Sequence, residues 1–219
     1  MITVLSDPTT HIPHPLLVLT ITELRDVQTQ DGLPWARCLD RAGGFLASGA
    51  TKTLEVTRCE VQTPVSPAAG FCRNKRVALV PVFRAGDGLT GSFLRLLPDA
   101  SVFDLDLSRD EHTGDPTVLK NCLPETWEDD IDSVIILEVM LATGGSACQA
   151  IELVKAVAGP KLPISFVAVF AARTGVNRVL KAHPDVALVI AQLDEVLTPK
   201  FFIDPGCGDA GKRSRRSAR

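Results

Sequence analysis

Thr143-Gly144-Gly145-Ser146 stand where the apolar run 133–139 gives way to the helix-length segment 145–158. Two hydroxyls and a set of backbone N–H groups gathered at a helix N-terminus favour an anion, because the dipole and the unpaired amides act there together. That is the chemistry of holding a phosphate. Glu138, at the end of the run, adds a carboxylate suited to accept hydrogen bonds from a vicinal diol. An ordinary strand–turn–helix capped by Thr or Ser accounts for the same residues equally well when they are read alone.

Arg84-Ala85-Gly86-Asp87-Gly88 follows the run 77–83. A guanidinium beside glycine-rich amides suits a second phosphate, and a turn into a capped helix is the alternative. Ile203-Asp204-Pro205-Gly206-Cys207-Gly208-Asp209-Ala210-Gly211 is dense in turn formers. Its glycines let the backbone come close to a ligand, so that main-chain amides and carbonyls read the edge of a planar ring; a terminal surface turn is the plainer explanation. Segment 108–116, from Ser108 to Pro116, is polar and aperiodic and suits a mobile loop or a solvated hairpin. His112 within it, and His11, His14 and His183 elsewhere, have no nucleophile or metal partner at readable spacing.

The elements that must position these residues follow from hydrophobic pattern. Apolar runs of strand length occur at 77–83, 101–107, 133–139, 164–170 and 186–191, with helix-length segments at 87–97, 145–158 and 173–182 between them. Short Val/Ile/Leu runs alternating with helices predict an α/β class with a parallel sheet buried on both faces. In such sheets the ligand lies beyond the carboxyl ends of the strands, where the three motifs above fall. Leu33 to Ser48 has the spacing of an amphipathic helix, with Pro34 in its first turn, and 54–65 alternates like an exposed strand. Residues 1–32, rich in Pro and Thr, read as an N-terminal arm of a single domain with its core at 33–211.

A chain of 219 residues, 45% hydrophobic and 22% charged, supports one packed core and is too apolar for global disorder. No window approaches the ~18 uncharged apolar residues of a membrane span, and Met1 to Pro8 lacks the basic start and apolar run of an export signal. Cys38, Cys59, Cys72, Cys122, Cys148 and Cys207 form no C-x-x-C pair and read as reduced thiols in a cytoplasmic protein. Net charge is −3, but without Lys212, Arg213, Arg215, Arg216 and Arg219 the rest carries 18 basic against 26 acidic residues. Such an acidic body argues against nucleic acid as a partner. The basic tail 212–219 reads as a solvated, disordered end.

Met140-Leu141-Ala142-Thr143-Gly144-Gly145-Ser146 is similar to the PRPP-binding loop of the uracil phosphoribosyltransferases, a type I phosphoribosyltransferase family. Pro205-Gly206-Cys207-Gly208-Asp209-Ala210-Gly211 resembles the family's base-recognition stretch P-G-L-G-D-A-G, and Phe83-Arg84-Ala85-Gly86 its L-R-A-G loop. Arg109 falls where the family has R-N-E-E-T, and Lys181-Ala182-His183-Pro184-Asp185-Val186 looks like its K-x-H-P-x-V. His14-Pro15 and Leu24-Arg25-Asp26 lie in the expected order in the arm, so the likeness covers nearly the whole chain.

The resemblance implies a Rossmann-like parallel sheet with flanking helices, an N-terminal arm and a small hood built with the C-terminal segment. It implies transfer of a phosphoribosyl group from PRPP to uracil, giving UMP and pyrophosphate in pyrimidine salvage. Glu138, Val139, Met140, Leu141, Ala142, Thr143, Gly144, Gly145 and Ser146 would bind PRPP, with Thr143 to Ser146 on the 5′-phosphate and Glu138 on the ribose hydroxyls. Arg84 and Arg109 would neutralise pyrophosphate, Asp209 would stand between base and ribose, and Ile203, Gly208, Asp209 and Ala210 would bind uracil. Mg²⁺ would arrive on PRPP with no direct protein site. Homodimers or homotetramers, and a GTP effector, belong to the same expectation, as does alkylation of Cys207 blocking uracil entry.

Several positions depart from the pattern. Glu138-Val139 replaces Asp-Pro, Arg109-Asp110-Glu111-His112-Thr113 replaces R-N-E-E-T, and Lys212-Arg213 follows Gly211 where the family has D-R or D-K. The usual F-G-T ending gives way to Ser214-Arg215-Arg216, and the chain has no Tyr, with Phe202 in place of one. These changes leave open two alternatives: a catalytically impaired relative that binds nucleotide or PRPP as a regulatory module, and a transferase for another base.

Overall fold

The computed structural model describes residues 1–6, 13–109, 116–158 and 162–214. β-Branched runs form its central strands: β4 (Arg76–Phe83), β8 (Ile131–Leu141), β9 (Ile164–Ala172) and β10 (Ala187–Asp194). They pair in parallel in the order β10-β9-β8-β4, with Val80 opposite Ile136, Leu137 opposite Val167 and Val167 opposite Val189. Beyond β4 lie β5 (Ser101–Val102), β6 (Leu105–Arg109) and β7 (Pro116–Asn121), the last antiparallel. β1 (Ile2–Val4) closes the other edge on β10. Two hydrogen-bonded pairs stand apart from this eight-stranded sheet: β2 (Thr57–Gln62) with β3 (Pro67–Cys72), and β11 (Val196–Leu197) with β12 (Ile203–Asp204).

Helices cover both faces. α1 (Pro15–Arg25), α2 (Leu33–Ala50) and α3 (Asp87–Leu96) bury Leu17, Leu24, Trp35, Leu46 and Phe93 against one face. α4 (Gly145–Ala158) and α5 (Arg173–Ala182) bury Ile151, Val154 and Val179 on the other. Each such large apolar side chain contributes about 1.5–3 kcal/mol on burial. The short α6 (Ala210–Arg213) ends the described chain.

The chain winds outward from β4 through β6 and β7, then returns to β4's other side at β8 and continues to β9 and β10. The winding direction therefore reverses between β4 and β8. A crevice opens where the connections leave adjacent strand ends in opposite directions.

The predicted core strands and the helices at 33–48, 87–97, 145–158 and 173–182 appear at those places, and the fold is the expected α/β class with a mostly parallel sheet. The described residues among the first 32 pack into the fold. Ile2–Val4 extends the sheet, and α1 buries Leu17, Ile21 and Leu24 at helical spacing. Pro15 in the first turn and β-branched Val18, Thr20, Ile21 and Thr22 lower its helix propensity and disguise it. The run 101–107 splits into β5 and β6, and the strand expected at 54–65 is half of the β2–β3 hairpin. The basic end differs too: Lys212 and Arg213 belong to α6, and Arg213 is 9% exposed. Residues 215–219 lie outside the described residues.

Candidate active site

Two cavities that share a wall occupy the crevice. One, of about 410 Å³, is lined by Glu138, Met140, Ala142 and Ser146 from the β8–α4 side and by Ile203, Gly208, Asp209 and Ala210 from the C-terminal segment. The other, of about 660 Å³, is lined by Arg84, Asp106, Ser108 and Leu119, and has Phe83, Glu138 and Asp209 in common with the first. Residues from four separate stretches of sequence thus meet at the switch between β4 and β8.

Each loop has a steric reason for its shape. A Cβ on Gly86 would lie 2.2 Å from the carbonyl oxygen of Leu137, so the turn carrying Arg84 rests directly on β8. The Phe83–Arg84 peptide is cis, and Arg84 itself is exposed. Gly144 has φ 81° and would, as alanine, place its Cβ 2.9 Å from the carbonyl of Gly175 at the start of α5. The Thr143 hydroxyl accepts from the Gly145 N–H at 3.5 Å, and the Cys148 N–H donates to Gly144 O at 2.9 Å to close the first turn of α4. The first turn of a helix such as α4 carries the positive end of its dipole, which favours an anion there. Glu138, partly buried, accepts a hydrogen bond from the Val139 N–H at 2.8 Å. Val139 and Leu141 send their side chains into the core, so only their main chain is available to a ligand.

In the C-terminal loop, Gly208 has φ 77° with open space where a Cβ would stand. The Asp209 carboxylate caps α6 by accepting from the Lys212 N–H at 3.0 Å while lining both cavities. Cys207 is 4% exposed, its Sγ packed 3.7 Å from the Met140 Sδ. Burial pushes its thiol up to about 12. Burial and a raised pKa make Cys207 slow to alkylate in the folded protein. Arg109 ends β6, and its side chain, like residues 110–115 with His112, lies outside the described residues.

Sequence reasoning missed the residues that brace this loop. Arg25 pairs with Asp194 and donates to Gly206 O, and Arg213 donates to Cys207 O and to three carbonyls between Leu24 and Thr29. Nothing in the local pattern links positions so far apart. It also missed Lys200 and Phe201, which line the first cavity. Phe201 has φ 62°, a left-handed conformation that costs a residue with a side chain roughly 1–2 kcal/mol.

A doubly wound α/β chain with a glycine-rich turn into a helix, an arginine loop and a second glycine-rich loop around one crevice falls in the phosphoribosyltransferase class. Comparison with known proteins narrows this. The chain belongs to the uracil phosphoribosyltransferase family, whose model matches residues 11–214. A uracil phosphoribosyltransferase of Malacoplasma penetrans is 38% identical over 91% of this chain and 95% of its own. One of Staphylococcus epidermidis is 39% identical, over 91% of this chain and 94% of its own. A solved Aquifex aeolicus protein superposes with a TM-score of 0.84 at 29% identity, covering 98% of this chain and 97% of that one. No helix among the described residues is long and apolar enough to cross a membrane.

Proposed function

We propose that the protein transfers the phosphoribosyl group of PRPP to N1 of uracil, forming UMP and pyrophosphate in cytoplasmic pyrimidine salvage. The observation that carries this is a single cavity bounded by Glu138 and Ser146 on one side and by the main chain of Gly208 to Gly211 on the other. In this reading one end of the cavity takes the phosphate and ribose and the other the base.

In this reading the amides and hydroxyls of Thr143, Gly144, Gly145 and Ser146 hold the 5′-phosphate, with main-chain groups of Val139 to Ala142 beside them, and Glu138 orients the ribose hydroxyls. Ile203, Gly208 and Ala210 present main-chain groups to the uracil edge. Arg84 and Arg109 neutralise the departing pyrophosphate. The bond from C1′ to pyrophosphate lengthens before the bond to N1 forms, so positive charge develops at C1′, and the proton that N1 gives up passes to the departing pyrophosphate. The Asp209 carboxylate, held by its cap to α6, faces that charge. Catalysis of this kind rests on positioning and electrostatics, without a covalent nucleophile. Mg²⁺ would enter on PRPP as part of the substrate, held by phosphate and water oxygens; among the described residues no cluster of three or more His, Cys, Asp or Glu side chains forms a metal site.

A homodimer or homotetramer belongs to the proposal, supported by the outward Val61 (46% exposed) and Phe71 (67% exposed) on the β2–β3 hairpin. A GTP effector is carried over from the family resemblance. Conversion of labelled uracil to UMP by purified protein with PRPP and Mg²⁺ tests the reading. Turnover with uracil as the preferred acceptor in a panel of bases is expected. No UMP, or a clear preference for another base, would overturn it.

A further inference from the structure

We propose that Phe201 is a ligand-contacting residue whose ring forms a wall for the planar acceptor bound in the cavity, an inference that rests on the reading of that cavity as a base site. Phe201 is the only non-glycine residue with positive φ among the described residues. Its conformation is imposed by the β11–β12 hairpin. The Phe201 N–H donates to Thr198 O at 2.8 Å and the Thr198 N–H donates to Phe202 O at 2.8 Å, with Pro199 at the second corner of the turn. A turn followed by one left-handed residue is a common hairpin closure, and glycine is the usual occupant of that last position.

Here the position holds a phenylalanine, and the fold makes little use of the ring. Phe201 is 58% exposed and packs on no other aromatic ring among the described residues. An apolar side chain left in solvent on a strained backbone gives the ligand-free protein nothing that glycine would not. The same ring lines the 410 Å³ cavity together with Phe202 and Met140, on the side of the glycine-rich loop 208–211. Strain retained at a site wall points to a role in the bound state. A pyrimidine offers a flat π-face whatever its edge groups, so an aromatic wall adds affinity for the ring while main-chain groups read the edge.

The test uses Phe201→Gly and Phe201→Tyr in the full-length protein, with KM for uracil and for PRPP measured separately and Tm recorded without ligand. For Phe201→Gly, Tm is expected to hold or rise by about 2–4 °C as strain is relieved. Its KM for uracil should rise about ten-fold while KM for PRPP stays within about two-fold, and Phe201→Tyr should behave as wild type. Stacking of this kind sits in that range. An unchanged KM for uracil in Phe201→Gly would overturn the role of Phe201, as would a fall in Tm of more than about 5 °C, which would make the ring a packing element. Wild-type protein that forms no UMP would instead overturn the reading of the cavity itself.

Discussion

Arg25 and Asp194, 169 residues apart in the chain, form a two-pronged ion pair, with Nη2 2.6 Å from Oδ1 and Nη1 3.0 Å from Oδ2. The same two side chains grip the glycine-rich loop. Arg25 donates to Gly206 O at 2.9 Å, and Asp194 Oδ2 accepts from the Gly206 N–H at 3.1 Å. The Arg25 guanidinium also lies 5.0 Å above the ring of Phe170. A loop proposed to read a base through main-chain atoms has no side chain to adjust, so its backbone must be held from behind. Removing one partner of a nearly buried pair strands the other charge. Asp194→Ala should therefore lose about 3–5 kcal/mol of stability in urea unfolding. Where Asp194→Asn still folds, KM for uracil should rise more than KM for PRPP.

Arg213 braces the next residue of the loop. Its Nη1 donates to Leu24 O at 2.6 Å and to Cys207 O at 3.3 Å, and Nη2 donates to Asp26 O and Thr29 O at 2.8 Å each. Nε adds an ion pair to Asp31 at 3.1 Å. Only a planar fork reaches all of these at once. Arg213→Lys should accordingly recover little of the roughly 3 kcal/mol that Arg213→Ala loses, a comparison that thermal denaturation of the two variants decides.

Most of the sheet was legible in the sequence because its strands are buried on both faces, and burial of that kind writes nearly continuous Val/Ile/Leu runs. The crevice-lining motifs at 84, 138–146 and 203–211 were legible because small, acidic and cationic residues cluster where those strands end. What stayed hidden has a physical reason in each case. α1 carries β-branched residues that blur its helical period. The strand at 57–62 was legible from its alternation, but its partner β3, with Pro67, two alanines and Gly70, has too few β-formers to mark a hairpin. The clamps made by Arg25 and Arg213 join positions that only the fold brings together, and a left-handed Phe201 has no signature in composition.

The six thiols should separate sharply in a labelling experiment. Cys122 is exposed, and Cys59 and Cys72 are partly exposed on facing strands of the hairpin. A hydrogen bond with the Thr57 hydroxyl holds the Cys72 thiol below its ordinary value. Burial pushes Cys38, Cys148 and Cys207 up. Brief treatment with N-ethylmaleimide at neutral pH, followed by peptide mapping, should modify Cys122 and Cys72 first and spare Cys207 until the protein is unfolded. Early modification of Cys207 would mean that the loop opens far more readily than its two arginine clamps permit.

His183 gives the fold a pH dependence near neutrality. It is 7% exposed at the end of α5, its Nε2 4.0 Å from Glu152, with Lys155 and Asp185 close by. Burial comes first and the Lys155 charge second in lowering its pKa, which the attraction of Glu152 and Asp185 only partly offsets. The unfolded chain therefore takes up a proton on this residue at a pH where the folded protein does not. Stability should be fully present above about pH 6.5 and fall as pH drops from there toward the lowered folded value. Urea titrations at pH 7.5, 6.5 and 5.5 should show this slope in the wild type and a flatter one in His183→Gln. Equal slopes would assign the loss to carboxylates instead.

Glu138 is the residue for which charge and shape are most readily separated. It projects from the C-terminal third of β8, at the point where the winding of the sheet reverses, and lines both cavities. One carboxylate oxygen accepts from the Val139 N–H, an interaction that the carboxamide oxygen of glutamine reproduces. Glu138→Gln thus keeps the volume and that local bond and removes the negative charge. If the carboxylate orients ribose hydroxyls and stabilises charge developing at C1′, kcat should fall about 10²-fold, the scale seen when one preorganised polar group is lost. Tm should move little, because the side chain is only partly buried and the strand beneath it is unchanged. A Glu138→Gln protein that turns over as fast as wild type would show that the carboxylate's charge has no part in the transfer step.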